Sequence, residues 1–220
     1  IHEFDSLDEL RDFDPLFLEN LDSEIFDNIV AVLGCDKSEI HNVYPLKQGL
    51  TNLSCHFSTN DGEWVYRHPG VGTELLIDRA AEKTALETAR TLGLDNTFVF
   101  ENPRRGWKIS KFIPDCKNLD PKNDAQLQKA MTMARQLHES DATVERRFSF
   151  YDEGKGYEQS LLARGPIDVT DWADMEAQAT ELHKLLEAES SDPVLCHNDF
   201  FSLNFLVEEN GNVSLIDWEY

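Results

Sequence analysis

The pair Asn210-Gly211, near the end of the chain, constrains the fold most, because it stands between two apolar runs and is the strongest short signal for a β-hairpin. A two-residue loop at this pair predicts that Asn204 on one strand faces Asp217 on the other. Directly opposed side chains in an antiparallel pair lie roughly 5 Å apart at Cβ. We therefore expect an amide oxygen and a carboxylate to meet at the open end of this hairpin.

Hard oxygen donors at that spacing suit Mg²⁺, which also keeps water and substrate phosphate oxygens among its ligands. Asp199 stands on the loop that leads into the same hairpin, close enough to act on a hydroxyl. His197, Asp199, Asn204 and Asp217 follow the order used in kinase-type phosphoryl transfer, in which one Asp accepts the hydroxyl proton and an Asn and a second Asp hold the metal. Each residue alone has an ordinary explanation in a turn or a backbone hydrogen bond, but the set favours catalysis.

The rest of the chain changes from strand-rich to helix-rich near residues 114–120. Strands are predicted at 40–47, 53–59 and 63–68, with a hairpin turn at 60–62 and a second hairpin over 97–113. A helix over 78–92 begins at Asp78. Another opens at Asp120-Pro121 and places Leu127, Met131, Ala134 and Leu137 on one face, and Gly-containing breaks are expected at 154–156 and 165–166.

Charge and composition narrow the classes of function. The 220 residues include 42 acidic and 20 basic side chains, a net charge of −22, which argues against nucleic-acid binding. A cationic small substrate is compatible with this charge, and an acidic solvated surface is the simpler explanation of it. There is no apolar run long enough for a membrane span, and no CxxC pair, so we expect a protein of the reducing cytoplasm.

Four ordered segments resemble the choline/ethanolamine kinases, within the wider group of aminoglycoside-phosphotransferase-like kinases. They are "KQGLTNLSCHF", "YRHPGVGTELLIDRAAE", "ISKFIP" and "CHNDFFSLNFL…LIDWEY". The likeness covers about residues 40–220 and is strongest to bacterial choline kinases that supply phosphocholine for surface glycans. It implies an α+β, bilobal, protein-kinase-like fold, with an antiparallel-sheet N-lobe over 40–114 and a mainly helical, incomplete C-lobe over 115–220.

The resemblance also implies roles for single residues. Asp199 would be the catalytic base, Asn204 and Asp217 would hold Mg²⁺, and Arg67 would grip the ATP phosphates with Glu82 as its partner. An exposed strand cation and a helix-surface acid are the alternatives for Arg67 and Glu82. The remaining assignments are a phosphate-facing turn at Gly49, Thr51 and Asn52, an adenine border at Phe112 and Ile113, and a choline-facing pair at Glu219 and Tyr220.

Alternatives stay open for these last groups. The turn at Gly49 is no G-x-G-x-x-G loop and could be a plain hairpin, and Phe112 could simply pack in the core. Glu219 could add negative charge or brace its loop, while Tyr220 could make a cation–π contact or be a buried tyrosine. The chain also departs from the family that it resembles at Asp78, before the helix arginine Arg79, where the resemblance implies Asn.

The expected reaction is transfer of the ATP γ-phosphate to choline, with ATP and Mg²⁺ as cofactors. Ethanolamine, an aminoglycoside or a sugar are alternative acceptors, and a non-catalytic pseudokinase is the alternative from another class. The start at Ile1 and the end within "DWEY" lead us to expect a fragment. Residues 1–39 are expected to be a helical segment from an upstream domain, since "IHEFDSLDELRDFDP" resembles the tail of nucleotidyltransferase domains fused to such kinases.

Overall fold

The structure, a computed structural model, describes residues 8–9, 12, 23–46, 52–70, 72–73, 77–189 and 192–220. The helices are α1 (Glu24–Leu33), α2 (Arg79–Thr91), α3 (Asp124–His138), α4 (Phe150–Leu162) and α5 (Trp172–Ala188). The strands are β1 (His41–Leu46), β2 (Leu53–Thr59), β3 (Gly62–His68), β4 (Phe98–Glu101), β5 (Lys108–Lys111), β6 (Lys117–Asn118), β7 (Phe205–Val207) and β8 (Val213–Leu215).

Five of the strands form an antiparallel sheet in the order β1-β2-β3-β5-β4. Thr59 pairs with Gly62 across the loop between β2 and β3, so the predicted hairpin at 60–62 is confirmed. The hairpin predicted over 97–113 is confirmed as β4 and β5. A second, three-stranded sheet joins β7 and β8 to β6, a strand that the sequence analysis did not predict.

The two faces of the five-stranded sheet differ in chemistry because side chains alternate along each strand. Phe57, Tyr66 and Ile109 are buried on one face and belong to one apolar cluster with Phe26 and Ile29 of α1. The opposite face has charged residues from β3, β5 and β4, which are also buried. The sheet therefore separates an apolar core from a polar interior that can hold a site.

Helix α2 forms as predicted. The Asp78 carboxylate accepts hydrogen bonds from the N–H groups of Ala80 and Ala81, both at 3.0 Å, which satisfies donors that the first helical turn leaves unpaired. The buried side of the helix includes Leu86 and Glu82. A carboxylate is thus brought into the interior on a well-anchored helix.

Helix α3 begins later, and buries a different face, than the sequence predicted. Asp120 and Pro121 form a turn, in which the Asp120 carbonyl accepts from Asn123 N–H at 2.9 Å, and the Asn123 side chain then caps the helix. Ala130, Met133 and Leu137 are buried, whereas Leu127 and Met131 are exposed. The prediction counted apolar residues without knowing which side met the core.

The chain divides into two compact units, residues 1–140 with 196–220, and residues 141–195. The first contains both sheets. The second contains α4 and α5, where the Tyr151 and His183 rings stack with centroids 4.2 Å apart. Helix α4 continues through Gly154 and Gly156, so the break predicted there is wrong. The lobe boundary at 114–120 stays a prediction.

The N-terminal part of the chain is described only in pieces. Most of "IHEFDSLDELRDFDP", on which the likeness to nucleotidyltransferases depends, lies outside the described residues, and that fusion stays a prediction. Within the described part of the chain, no helix is long and apolar enough to cross a membrane.

Phe57→Ala should lower the free energy of unfolding by about 3–5 kcal/mol, because it removes a fully buried ring from the apolar cluster. Leu53→Ala, on the same strand but 72% exposed, should change it by less than about 0.5 kcal/mol. Chemical denaturation of both variants beside the wild type measures the difference. Equal losses for the two variants would contradict the assigned core.

Candidate active site

The closing hairpin has a longer loop than the sequence predicted. Val207 pairs with Val213, and Glu208 N–H donates to Asn212 carbonyl at 2.9 Å, which leaves three residues in the loop. Gly211, at φ +83°, takes the left-handed position that closes such a loop. An Asn-Gly pair fits two-residue and three-residue loops alike, and this is why the prediction failed.

The extra loop residue shifts the register by one. Asn204 is opposite Ile216, whose N–H donates to the Asn204 carbonyl at 2.8 Å, and so the predicted pairing of Asn204 with Asp217 is wrong. A one-residue shift normally turns a side chain to the other face. Here strand geometry has already ended, since residues 202–204 form a 3-10 turn and Asp217 has φ +72°.

The structure brings Asp199 and Asn204 into direct contact. The Asn204 Nδ2 group donates to Asp199 Oδ2 at 2.8 Å and to the Asp199 carbonyl at 3.0 Å. Asp199 is half-buried, and among the described residues no hydrogen bond or ion pair engages its Oδ1. The carboxylate is therefore fixed at one oxygen while the other can accept a proton from a ligand.

His197 connects the loop that carries Asp199 to the closing hairpin. Its Nε2–H donates to the Ile216 carbonyl at 2.9 Å, and its Nδ1 accepts from Asp199 N–H at 3.3 Å. Acceptance at Nδ1 requires the neutral ring, and burial lowers the pKa of His197, which favours that form. The interpretation of this histidine as a structural hydrogen-bonding residue is thus supported.

Two residues next to the reacting groups have a backbone conformation that is uncommon outside glycine. Asn198 has φ +61° and Asp217 has φ +72°. Asn and Asp tolerate this region better than other side chains, and such residues cluster at functional sites. The backbone next to these two residues is held by the hydrogen bonds between His197 and Asp199 N–H, and between Ile216 N–H and the Asn204 carbonyl.

Arg67, near the end of β3, is the centre of a buried ion cluster. Its guanidinium contacts the carboxylates of Glu82 and Glu219 directly, and its NH1 lies 3.3 Å from Asp217 Oδ1. The predicted Arg67–Glu82 pair is confirmed, and the reading of both as ordinary surface charges is excluded by their burial. Helix α2, the sheet and the closing hairpin thus meet at one cation.

Sequence reasoning missed two members of this cluster, Arg79 and Lys108, and the buried Glu101 opposite Lys108. Arg79 NH1 lies 2.6 Å from Glu82 Oε2, and Lys108 Nζ lies 3.3 Å from Glu82 Oε1. Lys108 is opposite both Arg67 and Glu101 in the sheet. The sequence did offer one signal: each strand of the hairpin formed by β4 and β5 includes a charged residue, Glu101 and Lys108, that could face the same side as Arg67.

The charges shift the protonation of the two buried glutamates in opposite directions. Burial alone would raise the pKa of Glu82, but the charges of Lys108, Arg67 and Arg79 outweigh it and lower that pKa to about 2. Burial raises the pKa of Glu101 to about 8, and the neighbouring Glu82 charge adds to the rise. Arg67 has a raised pKa despite burial, because Glu82 and Glu219 favour its charged form.

Glu219 is buried and makes the contacts of a brace. Besides Arg67, it accepts a hydrogen bond from Asn52 Nδ2 at 3.0 Å and lies 3.7 Å from Arg79 NH1. Asn52 in turn accepts from Gly70 N–H at 3.4 Å. Asn52 thus connects the end of the predicted phosphate-facing turn to the closing segment. Gly49 and Thr51, predicted for the same turn, lie outside the described residues.

The other predicted residues have partly accessible positions. Phe112 and Ile113 are half-buried after β5, and the Phe112 ring lies edge-on to His56 with centroids 4.7 Å apart. Tyr220, the last residue of the sequence, is 43% exposed, and both interpretations of it stay predictions.

The oxygen donors of the hairpin fit a hard divalent cation. Asn204 turns its amide nitrogen to Asp199, so its oxygen is available, and the Asp217 side chain is 43% exposed. Among the described residues, no group of three or more His, Cys, Asp or Glu could hold a metal by itself. Mg²⁺ commonly needs only one or two protein oxygens and completes its shell with water and phosphate.

Arg67→Met should lower the free energy of unfolding by about 3–5 kcal/mol, because it removes the closest cation from buried Glu219 and one of the three cations around buried Glu82. The matched control is Arg105→Met, which breaks an exposed pair with Glu24 and should cost less than about 1 kcal/mol. Urea denaturation at neutral pH measures both. A loss for Arg67→Met as small as that of the control would contradict the central position of Arg67.

Comparison with known proteins agrees with this geometry. Residues 43–220 match the sequence profile of the choline/ethanolamine kinase family. Among curated protein sequences, none matches the chain. The solved choline kinase LicA from Streptococcus pneumoniae is 28% identical, with a TM-score of 0.73 over 89% of this chain and 67% of that one.

Two further structures extend the likeness. A structure of LicA in complex with AMP is 26% identical, with a TM-score of 0.74 over 90% of this chain and 68% of that one. An ethanolamine kinase from Plasmodium vivax, 18% identical, has a TM-score of 0.66 over 100% of this chain and 69% of its own, which shows the shared fold. The fold is therefore α+β and protein-kinase-like, as expected. The chain belongs to the choline/ethanolamine kinase family and is a phosphotransferase that acts on an alcohol.

Proposed function

We propose that this protein transfers the γ-phosphate of ATP to the hydroxyl of choline and so produces phosphocholine. The observation that carries the proposal is the contact of Arg67 with Asp217, beside the contact of Asn204 with Asp199. Ile216, whose N–H donates to the Asn204 carbonyl, directly precedes Asp217, so both contacts stand at the same end of the closing hairpin. The likeness to choline kinase LicA supports choline as the acceptor.

Asp199 acts as the base in this proposal. Asn204 holds Oδ2, so Oδ1 is left to orient the choline hydroxyl and take its proton as the phosphoryl group is transferred. Phosphoryl transfer needs little covalent help from the protein, and most of the rate comes from alignment and charge stabilisation. The two hydrogen bonds from Asn204 supply that alignment.

Arg67 binds the ATP phosphates in this proposal, since a guanidinium fork matches phosphate oxygens. Of its three carboxylate partners, Glu82 and Glu219 are buried, while Asp217 is 43% exposed and 3.3 Å away. The Asp217 contact is thus the one most readily exchanged for a phosphate oxygen. Asn204 and Asp217 would hold Mg²⁺, which neutralises phosphate charge when bound.

The remaining residues complete the substrate sites as proposals. Phe112 and Ile113 would border the adenine, and Gly49, Thr51 and Asn52 would cover the phosphates. Tyr220 would meet the quaternary ammonium of choline through its ring face. Glu219 would contribute mainly as the brace that carries Tyr220, because its carboxylate is already bound by Arg67.

Ethanolamine is the second candidate acceptor, favoured by the family description. A primary ammonium needs hydrogen-bond acceptors, whereas the trimethylammonium of choline needs aromatic faces. Aminoglycosides, other sugars and a non-catalytic role are the remaining alternatives. We further propose that the protein acts in the cytoplasm, where ATP is available.

The full-length protein should release ADP from Mg-ATP when choline is present, more efficiently than with ethanolamine, an aminoglycoside or no acceptor. Asp199→Asn should lower kcat by about 10²–10⁴-fold, because the base is lost. Asp174→Asn, an exposed position on α5, is the matched control and should leave kcat unchanged. Release with another acceptor would reassign the substrate, and no release with any acceptor would contradict the kinase proposal.

Asp217→Ala should abolish Mg²⁺-dependent turnover, since it removes one of two protein oxygens proposed for the metal. ADP release across a Mg²⁺ titration, with a thermal unfolding curve to verify folding, measures this. Glu208→Gln, on the same hairpin, is the control and should titrate like the wild type. Near-normal activity of Asp217→Ala would overturn the metal assignment.

A further inference from the structure

Glu101 is a fully buried acid that the proposed mechanism does not use. It ends β4 with 0% of its surface exposed, opposite Lys108 of β5, which is itself opposite Arg67 of β3. Directly opposed residues of neighbouring strands project from the same face of the sheet. Glu101 is thus the third member of a row of charged groups on the face that meets Glu82.

Both carboxyl oxygens of Glu101 lack a hydrogen-bond donor among the described residues. Lys108 directs its Nζ to Glu82 instead, at 3.3 Å, and forms no ion pair with Glu101. Glu82, which Lys108 contacts from the position opposite Glu101, is the neighbouring carboxyl whose charge raises the pKa of Glu101. A buried carboxylate without a donor is costly, whereas a protonated carboxyl is itself a donor and can bond to its neighbour.

Charge balance in the cluster leads to the same conclusion. Arg67, Arg79 and Lys108 supply three positive charges, and the carboxylates that they contact are Glu82, Glu219 and Asp217. The three positive and three negative charges balance without Glu101. A fourth negative charge at a fully buried position would have no cation of its own.

We infer that Glu101 is a positioning residue, a neutral carboxylic acid whose O–H donates to Glu82 and fixes the carboxylate that holds Arg67 and Arg79. The inference rests on the proposed function only where it assigns Arg67 to the ATP phosphates. The raised pKa of Glu101 supports it, since burial favours the protonated form.

The charged groups around Glu101 give the effect of pH a definite sign. Glu82 and Arg79 approach from α2, Arg67 from β3 and Lys108 from β5. Once Glu101 ionises, two carboxylates share the site and compete for Lys108. The folded state keeps this proton to higher pH than the unfolded state, so the stabilisation is complete below the unfolded pKa, near 4.5, and is lost as pH rises through about 8.

The first test compares Glu101→Gln and Glu101→Met with the wild type by urea denaturation from pH 5 to 9. Gln keeps an N–H donor for Glu82 and does not titrate. The stability of Glu101→Gln relative to the wild type should therefore rise with pH, with the slope expected when the folded wild type binds one proton more than its unfolded state. Met has no donor and should be less stable than Gln at every pH. Glu63→Gln, a partly exposed glutamate of β3, is the matched control and should show no such slope.

The inference would be overturned if the difference in unfolding free energy between Glu101→Gln and the wild type did not change with pH, and if Glu101→Gln were no more stable than Glu101→Met. An ionised Glu101 paired with a cation predicts that pattern. Infrared difference spectroscopy at pH 7 is a second test, because it detects the protonated carboxyl group directly rather than through the stability of a variant. A protonated-carboxyl band that disappears in Glu101→Gln is expected. Only carboxylate bands in the wild type would overturn the inference.

Kinetics then separate this inference from the proposed function. With choline as acceptor, Glu101→Met should raise the KM for ATP about tenfold, as expected for loss of one hydrogen bond to a charged group, with a smaller effect on kcat, and Glu101→Gln should restore it. If no acceptor supports turnover while the stability slope and the infrared band are found, the proposed function fails and the inference about Glu101 stands. If choline supports turnover but neither the stability slope nor the infrared band is found, the inference about Glu101 fails and the proposed function stands.

Discussion

The buried guanidinium of Arg67 is the interaction on which the rest of the structure depends. It binds Glu82 of α2 and both Asp217 and Glu219 of the closing segment, so three separate parts of the chain share one cation. A buried charge is tolerated only when its partners surround it. Removal of one buried partner leaves the opposite charge unpaired in a medium of low dielectric constant. This requirement fixes where the helix and the hairpin can lie against the sheet.

The carboxylates of the site divide according to their exposure. Glu82 and Glu219 are buried and hold the cation, whereas Asp217 and Asp199 are partly exposed and keep oxygens available. The left-handed backbone at Asn198 and Asp217 turns this exposed pair away from ordinary strand geometry. In the proposed reaction the buried acids organise the site, and the exposed acids perform the chemistry.

The sequence predicted the elements better than their contacts. Local patterns sufficed for the Asp78 cap, the turn at 60–62 and the hairpin of β4 and β5, and the family resemblance identified the Arg67–Glu82 pair. The hairpin register was wrong because Asn210-Gly211 fits two loop lengths. Glu101 and Lys108 went unnoticed because their meeting with Arg67 depends on strand order, which links residues far apart in the chain.

The measurement that tests the central claim most directly is a ³¹P NMR time course of the full-length protein with Mg-ATP and choline. The account predicts that the γ-phosphate signal of ATP falls while a phosphocholine signal grows in equal amount, and that Arg67→Met slows this exchange by weakening ATP binding. ATP that persists, or that is hydrolysed to free phosphate at the same rate with and without choline, would contradict it.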